Sequence, residues 1–238
     1  MEWRDDGIIL GVKRHGETGA IVELMTRAHG RALGLVRGGR SRRQQTALQP
    51  GNSVDASWRA RLEEHLGVFV IEPTCARAGA LMESAAALNG LQHVSALLRL
   101  LPERDPHAAL FETLELIADH LHEPRIAPAL VARFELAMLA ELGFGLDLSD
   151  CVATGARDDL IYVSPRSGRA VSRAAGAPYA ERLLPLPHFL SEADKIGTPS
   201  RQDVLNGFRL TGFFLERDVF LPRGLAAPDA RAAFLASV

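Results

Sequence analysis

Cysteines, aromatic residues and long apolar runs are all scarce in this sequence, and each shortage closes a class of explanation. Only Cys75 and Cys151 are present. Two thiols so far apart cannot make a disulfide scaffold, so a reducing cytoplasm is the expected compartment. No apolar run approaches bilayer-spanning length; the longest, around Leu97–Leu101 and Leu183–Leu190, are short or broken by Pro185 and Pro187. The opening MEWRDDGIIL puts acids where a secretory signal would need a positive stretch and a long apolar core. A cytoplasmic protein without membrane contact is therefore expected. Recognisable catalytic motifs are missing too: there is no Walker loop, nucleophile elbow, zincin helix or strand-borne dinucleotide fingerprint. Gly143 and Gly145 follow a helical stretch, which suits a helix stop and not a phosphate cradle. Neither an enzyme nor a bound cofactor is expected.

Acid is also missing locally, and here the absence points to something. Between Glu23 and Asp55 there is no Asp or Glu, while Arg27, Arg31, Arg37, Arg40, Arg42 and Arg43 all fall in that window. The chain's formal net charge is −2, and outside these six arginines it holds 21 basic against 29 acidic residues. Positive charge gathered beside Gly and Ser, in GRALGLVRGGRSRR from Gly30 to Arg43, predicts a local anion-binding surface, with a phosphate backbone as the common large partner. The plainer alternative is a solvated loop kept soluble by its charge. The arginines cap a strand-like run instead of spreading along a helix face, which favours nucleic acid. Arg31, Arg37, Arg40, Arg42 and Arg43 are the candidate binding residues.

With 238 residues and 47% hydrophobic content, the chain can bury a substantial core. Strands are predicted at Gly7–Val12, Ala20–Thr26, Arg31–Gly38, Asn52–Arg61 and Gly67–Glu72, the fourth and fifth joined by a charged connection, Leu62–Leu66. In the third, Leu33 and Leu35 face one way, Gly34 and Val36 the other. Short Gly-rich strands at close spacing suggest a small antiparallel barrel, with Phe69 in its core. After Pro73 the period becomes helical, with stretches at Ala80–Leu101, Pro106–Leu121, Ala127–Leu142, about Ala180–Lys195, Gln202–Phe220 and Pro228–Ala236. LIYVSP and GRAVSR, joined by the turn RSG, read as a hairpin inserted at about 150–178. The fold class is α+β: an N-terminal small antiparallel barrel over 1–78, then a mostly helical domain over 79–238 carrying the hairpin.

Several residues could carry chemistry and have plainer readings beside it. His120 and His122 stand two apart and cannot share a helix face, so they make a poor metal pair. Cys75 is expected to be a small buried apolar residue. Cys151 opens CVATG; three residues on stands Thr154, and after the hairpin Ser172 and Ala175 repeat the same spacing. One thiolate with a threonine, a serine and an alanine cannot hold tetrahedral zinc, so no metal is expected and Leu160, Ile161, Tyr162 and Val163 are left to keep the shape of this degenerate ribbon. The adjacent acids Asp158 and Asp159 are more simply solvated than catalytic. Arg133 borders the apolar stripe Leu130, Phe134, Met138 and Leu142. It either snorkels at the edge of a core or pairs with Glu135 or Glu141, or it rims an apolar slot suited to an acidic or carboxylate-terminated peptide, lined by Leu130, Arg133, Phe134 and Met138.

GIILGVKRHGETGAIVELMT, GRALGLVRGGRS, ALQPG at Ala47–Gly51 and RFELAMLAELGFGLDLSDC at Arg133–Cys151, in that order, resemble the RecO family of bacterial recombinational repair proteins. The likeness runs through most of the chain up to the hairpin. It implies an N-terminal OB-fold, a helical domain and often a zinc ribbon, from which this sequence departs by keeping only Cys151. It implies binding of single- and double-stranded DNA, annealing of complementary strands, and help in loading RecA onto DNA coated by the single-stranded DNA-binding protein, with RecR as partner and a nucleoid-associated cytoplasmic setting. It further implies that the acidic, Phe-ended tail of the coating protein sits near Arg133, although many relatives carry another basic residue where this chain has Ala132.

Arginines beside a barrel can follow a phosphate backbone without reading bases, and screening two backbones lets complementary strands approach without ATP. Stacking is poorly supplied, since the barrel holds only Trp3, Trp58 and Phe69. From another class, an OB-fold RNA-binding factor associated with translation fits the same charge pattern.

Overall fold

Strand β1 (Glu2–His15) is long enough to serve two neighbours. Its first half pairs antiparallel with β4 (Ser53–Arg59) and its second half with β2 (Gly19–Thr26), and the register breaks between Ile9 and Gly11. A bulge that bends one long strand is how a five-stranded sheet closes on itself. With β3 (Gly30–Val36) and β5 (Val68–Cys75) the closed order is β1-β2-β3-β5-β4, the OB-like barrel expected from the sequence. In β3 the alternation runs as predicted: Ala32, Gly34 and Val36 face inward, Leu33 and Leu35 outward. A Cβ at Gly34 would overlap the ring of Phe69, so glycine here makes room for a core aromatic that is 2% exposed. Ile9, Val22, Leu24, Val54, Trp58 and Ile71 complete the interior.

The structure is a computed structural model describing residues 1–62, 64–191 and 198–238, which divide into two compact units, Met1–His122 and Glu123–Val238. The boundary expected near residue 78 falls inside the first. A geometric cause is visible at the free edge of β3. That edge meets β5 only at Leu35 and Val68, and further along it Arg31 bridges in parallel to Glu103, with the Arg104 amide donating to the Arg31 carbonyl at 2.8 Å. The connection between two helices thus fills the gap between β3 and β5. Those helices are α3 (Ala85–Leu98) and α4 (Ala108–His120); before them come α1 (Arg42–Ala47) and α2 (Ala78–Met82). The single helix expected over Ala80–Leu101 is broken because the Ser84 side chain accepts from the Ala87 amide and starts α3 afresh.

In the second unit α5 (Ala127–Glu141) ends where Gly143 takes a φ of 87°. The expected hairpin is present as β6 (Leu160–Val163) and β7 (Ala170–Ser172), joined by a third strand, β8 (Leu184–Pro185), that the sequence did not suggest. A short turn of helix, α6 (Arg173–Gly176), follows β7. The helix expected at Ala180–Lys195 is replaced, as far as Ser191, by 3-10 turns flanking β8, since Pro185 and Pro187 withhold the amides a helix needs. Its remaining residues, and Glu63 of the Leu62–Leu66 connection, lie outside the described residues. α7 (Arg201–Phe214) opens with a Ser200–Asp203 capping box and runs on through a π-helical turn, Leu215–Phe220, before α8 (Asp229–Leu235).

Candidate nucleic-acid interface

The six arginines of the acid-free window separate into two groups once their neighbours are seen. Arg27 donates to Glu112 at 3.2 Å and Glu115 at 3.4 Å, with its guanidinium 4.7 Å from the centre of the Phe111 ring. Arg31 has a side chain only 13% exposed, lies 3.0 Å from Glu23 and 3.7 Å from Glu103, and reaches the Leu101 carbonyl. Both fasten helical segments to the barrel. Arg31 is therefore withdrawn from the candidate binding residues: its charge is already met by two carboxylates.

Arg37, Arg40, Arg42 and Arg43 are exposed. Arg40 donates from Nη1 to the Glu17 carbonyl at 2.6 Å, and its amide donates to the Thr18 carbonyl at 3.0 Å, which ties this segment to the β1–β2 turn. Arg42 and Arg43 do not lie on an open Gly/Ser loop as expected. They form the first turn of α1, whose cap is Ser41 accepting from the Gln44 amide. Among the described residues, Arg37, Arg42 and Arg43 have no acidic partner. Three exposed guanidinium groups without local neutralisation are what a polyanion would meet.

A cleft of about 370 Å³ opens between the β1–β2 hairpin and α1, lined on its polar side by Arg14, Arg40, Gln45 and Gln49. Arg14 was missed because the first strand is expected only over Gly7–Val12. β1 in fact continues to His15, with Arg14 opposite Ala20. The signal available was the Lys13–Arg14 pair just ahead of His15 and Gly16. The barrel's rings are occupied with one another: Trp58 and Phe69 are buried, and Trp3 stacks 4.3 Å from His29 and 5.6 Å from Trp58. Charge, more than aromatic stacking, is what this surface offers.

In the second unit the apolar stripe beside Arg133 is not a slot. Phe134 and Met138 are both 0% exposed and belong to the core, so neither can line a peptide groove; only Leu130 and Arg133 of that set reach the surface. Arg133 donates from Nε to the Phe189 carbonyl at 2.8 Å and lies over the Phe189 ring. Glu135 faces away from it and pairs with Arg231. Asp159 pairs with Arg173 at 3.0 Å, a structural use of one of the adjacent acids.

Cys75 is not the small buried apolar residue expected. At the end of β5 it is exposed, whereas Cys151 is 1% exposed. Burial pushes the Cys151 thiol up, but hydrogen bonds from the Ser172 and Thr154 hydroxyls and from the Ser172 and Ala153 amides outweigh it, bringing the pKa down to about 6. Thr154 and Ser172, the residues that cannot bind zinc, instead donate to the one sulfur that remains.

Residues 1–72 match the family description "Recombination protein O N terminal" and residues 82–225 match "Recombination protein O C terminal". The chain is similar to the DNA repair protein RecO of Methylocella silvestris, at 63% identity over 99% of this chain and 95% of that one. It is 60% identical to the RecO of Chelativorans sp. BNC1 over 100% of this chain and 96% of the relative. The corresponding figures for the RecO of Brucella abortus are 58%, 100% and 96%. Two consecutive family matches and near end-to-end similarity to such relatives establish that the chain belongs to the RecO family.

Proposed function

We propose that this chain is a non-catalytic DNA repair and recombination mediator that binds single- and double-stranded DNA and anneals complementary strands. The observation that carries the reading is the trio Arg37, Arg42 and Arg43, exposed beside a closed barrel and without acidic partners among the described residues, with Arg14 and Arg40 in the adjoining cleft. The repair role rests on the relatives, which are named DNA repair proteins. Arginine on a rigid barrel neutralises phosphate without reading sequence, so two strands of any sequence can be brought together with their mutual repulsion lowered. As family membership implies, the protein works in the cytoplasm with RecR and helps RecA onto DNA coated by the single-stranded DNA-binding protein. Leu130 and Arg133 are the residues left to meet that protein's acidic tail, the Arg133 Nη groups being suited to a carboxylate. No helix among the described residues is long and apolar enough to cross a membrane.

The test is strand annealing by the Arg37→Ala, Arg42→Ala, Arg43→Ala triple variant, with oligonucleotide binding measured alongside. Loss of both in a protein of unchanged circular dichroism is expected. Wild-type affinity would overturn the assignment. Competition between DNA and RNA of one sequence at matched salt separates the reading from that of a translation-associated RNA binder.

A further inference from the structure

We propose that the cleft between the β1–β2 hairpin and α1 is a pocket for one unpaired nucleotide, selecting bases that carry an exocyclic amino group over thymine. The inference rests on the nucleic-acid reading above and adds base contact to a surface otherwise made of charge.

The first argument is composition. The cleft has a volume of about 370 Å³ and joins two arginines and two carboxamides to an apolar floor that includes Val12, Leu48 and Pro50. Simple phosphate tracking requires charge alone; an apolar floor beside polar groups is the make-up of a site for a small organic ligand, and the volume lies at the low end of the range for such sites. A nucleotide matches both halves: a phosphate for Arg14 and Arg40, and a flat ring for the floor. A base inside a duplex could not enter a space of this size without leaving its stack.

The second argument is the orientation of the carboxamides. Gln45 donates from Nε2 to the Arg40 carbonyl at 3.0 Å, and Gln49 donates from Nε2 to the Gln45 carbonyl at 2.7 Å. A main-chain carbonyl only accepts, so these two bonds set the amides with nitrogen toward the chain, leaving each Oε1 as an acceptor and one further hydrogen on each Nε2. Two acceptors, on residues four apart that both line the cleft, suit the two hydrogens of an amino group such as cytosine N4 or adenine N6. Thymine carries O4 where cytosine carries N4–H2, so it has no hydrogen to give either Oε1 at that position.

The comparison of dC with dT isolates this effect, because the two pyrimidines stack similarly and differ at the 4-position. With short oligomers of equal length at pH 8 and matched salt, dC should bind about 3- to 10-fold more tightly than dT, the span of one hydrogen bond's net worth. Gln45→Met with Gln49→Met should erase the difference, bringing the ratio of dC to dT affinity to one. Equal binding of dC and dT by the wild-type protein, which needs no variant and raises no question of folding, would overturn the pocket while leaving the DNA reading intact. Equal loss for both oligomers in the double variant would likewise overturn it. Failure of the wild-type protein to bind either oligomer would remove the nucleic-acid assignment itself, so the two failures are distinguishable.

Discussion

Arg231 of α8 holds Glu135 of α5 through two parallel bonds, Nε to Oε1 at 2.7 Å and Nη2 to Oε2 at 3.1 Å, with the carboxylate wholly buried. Thr211 of α7 donates to the same carboxylate, and Arg231 also donates to the Phe208 carbonyl at 2.7 Å. One ion pair therefore joins three helices of the second unit. Removing only the arginine leaves a buried charge without its partner, so Arg231→Ala should lower stability by about 3–5 kcal/mol in urea denaturation. Replacing both residues with apolar side chains, as in Glu135→Leu with Arg231→Met, should cost less than the single change, since no charge is then left behind.

Gly30 and Gly16 make a matched comparison for the plug at the edge of β3. Their φ angles are 65° and 58°, yet a Cβ at Gly30 would overlap the Asp105 carbonyl, while a Cβ at Gly16 meets nothing within 4 Å. Gly16→Ala should cost about 1–2 kcal/mol, the left-handed penalty alone. Gly30→Ala should cost clearly more, because the α3–α4 connection must move away from the barrel. By the same logic a fragment ending at residue 78 lacks Glu103 and Arg104 and should show no cooperative thermal transition.

The contrast between Arg31 and Arg43 shows how far the sequence could be read. Strand alternation and the helical period after Pro73 are local patterns, and they led to the right architecture. Availability of an arginine is not local. Glu103, Glu112 and Glu115 fold back on Arg27 and Arg31 from about seventy to ninety residues away, which a count of charges within a window cannot see. Phe134 and Met138 illustrate the same limit: helical spacing tells which side chains share a face, not whether that face is already covered.

Cys151 should make stability depend on pH. Its folded pKa of about 6 lies below the ordinary thiol value of 9.0, so the unfolded chain binds more protons between these limits and stability rises with pH across them. The contribution is fully present above pH 9 and is lost as pH falls through 6. Thiolate absorbance at 240 nm in a Cys75→Ser background should show an inflection near pH 6. Cys151→Ala should flatten the stability profile over this window. An inflection near 9 would mean that the hydroxyl and amide donors do not hold a thiolate.

Salt dependence gives a way to tell binding arginines from fastening ones. Each phosphate contact on a single strand contributes about 0.7 to the slope of log affinity against log salt, and about 0.9 on duplex DNA. Arg37→Ala, Arg42→Ala and Arg43→Ala should each reduce the slope by roughly one such increment and leave the melting temperature within a degree or two, since the native residues are exposed and have no acidic partner among the described residues. Arg31→Ala should do the opposite. It removes the cation that Glu23 and Glu103 share, although Glu23 keeps Arg99 at 2.8 Å, so the melting temperature should fall while the slope stays that of the wild type. A loss of slope in Arg31→Ala, with none in the other three, would place the DNA path along the β3 edge that the α3–α4 connection occupies and away from α1.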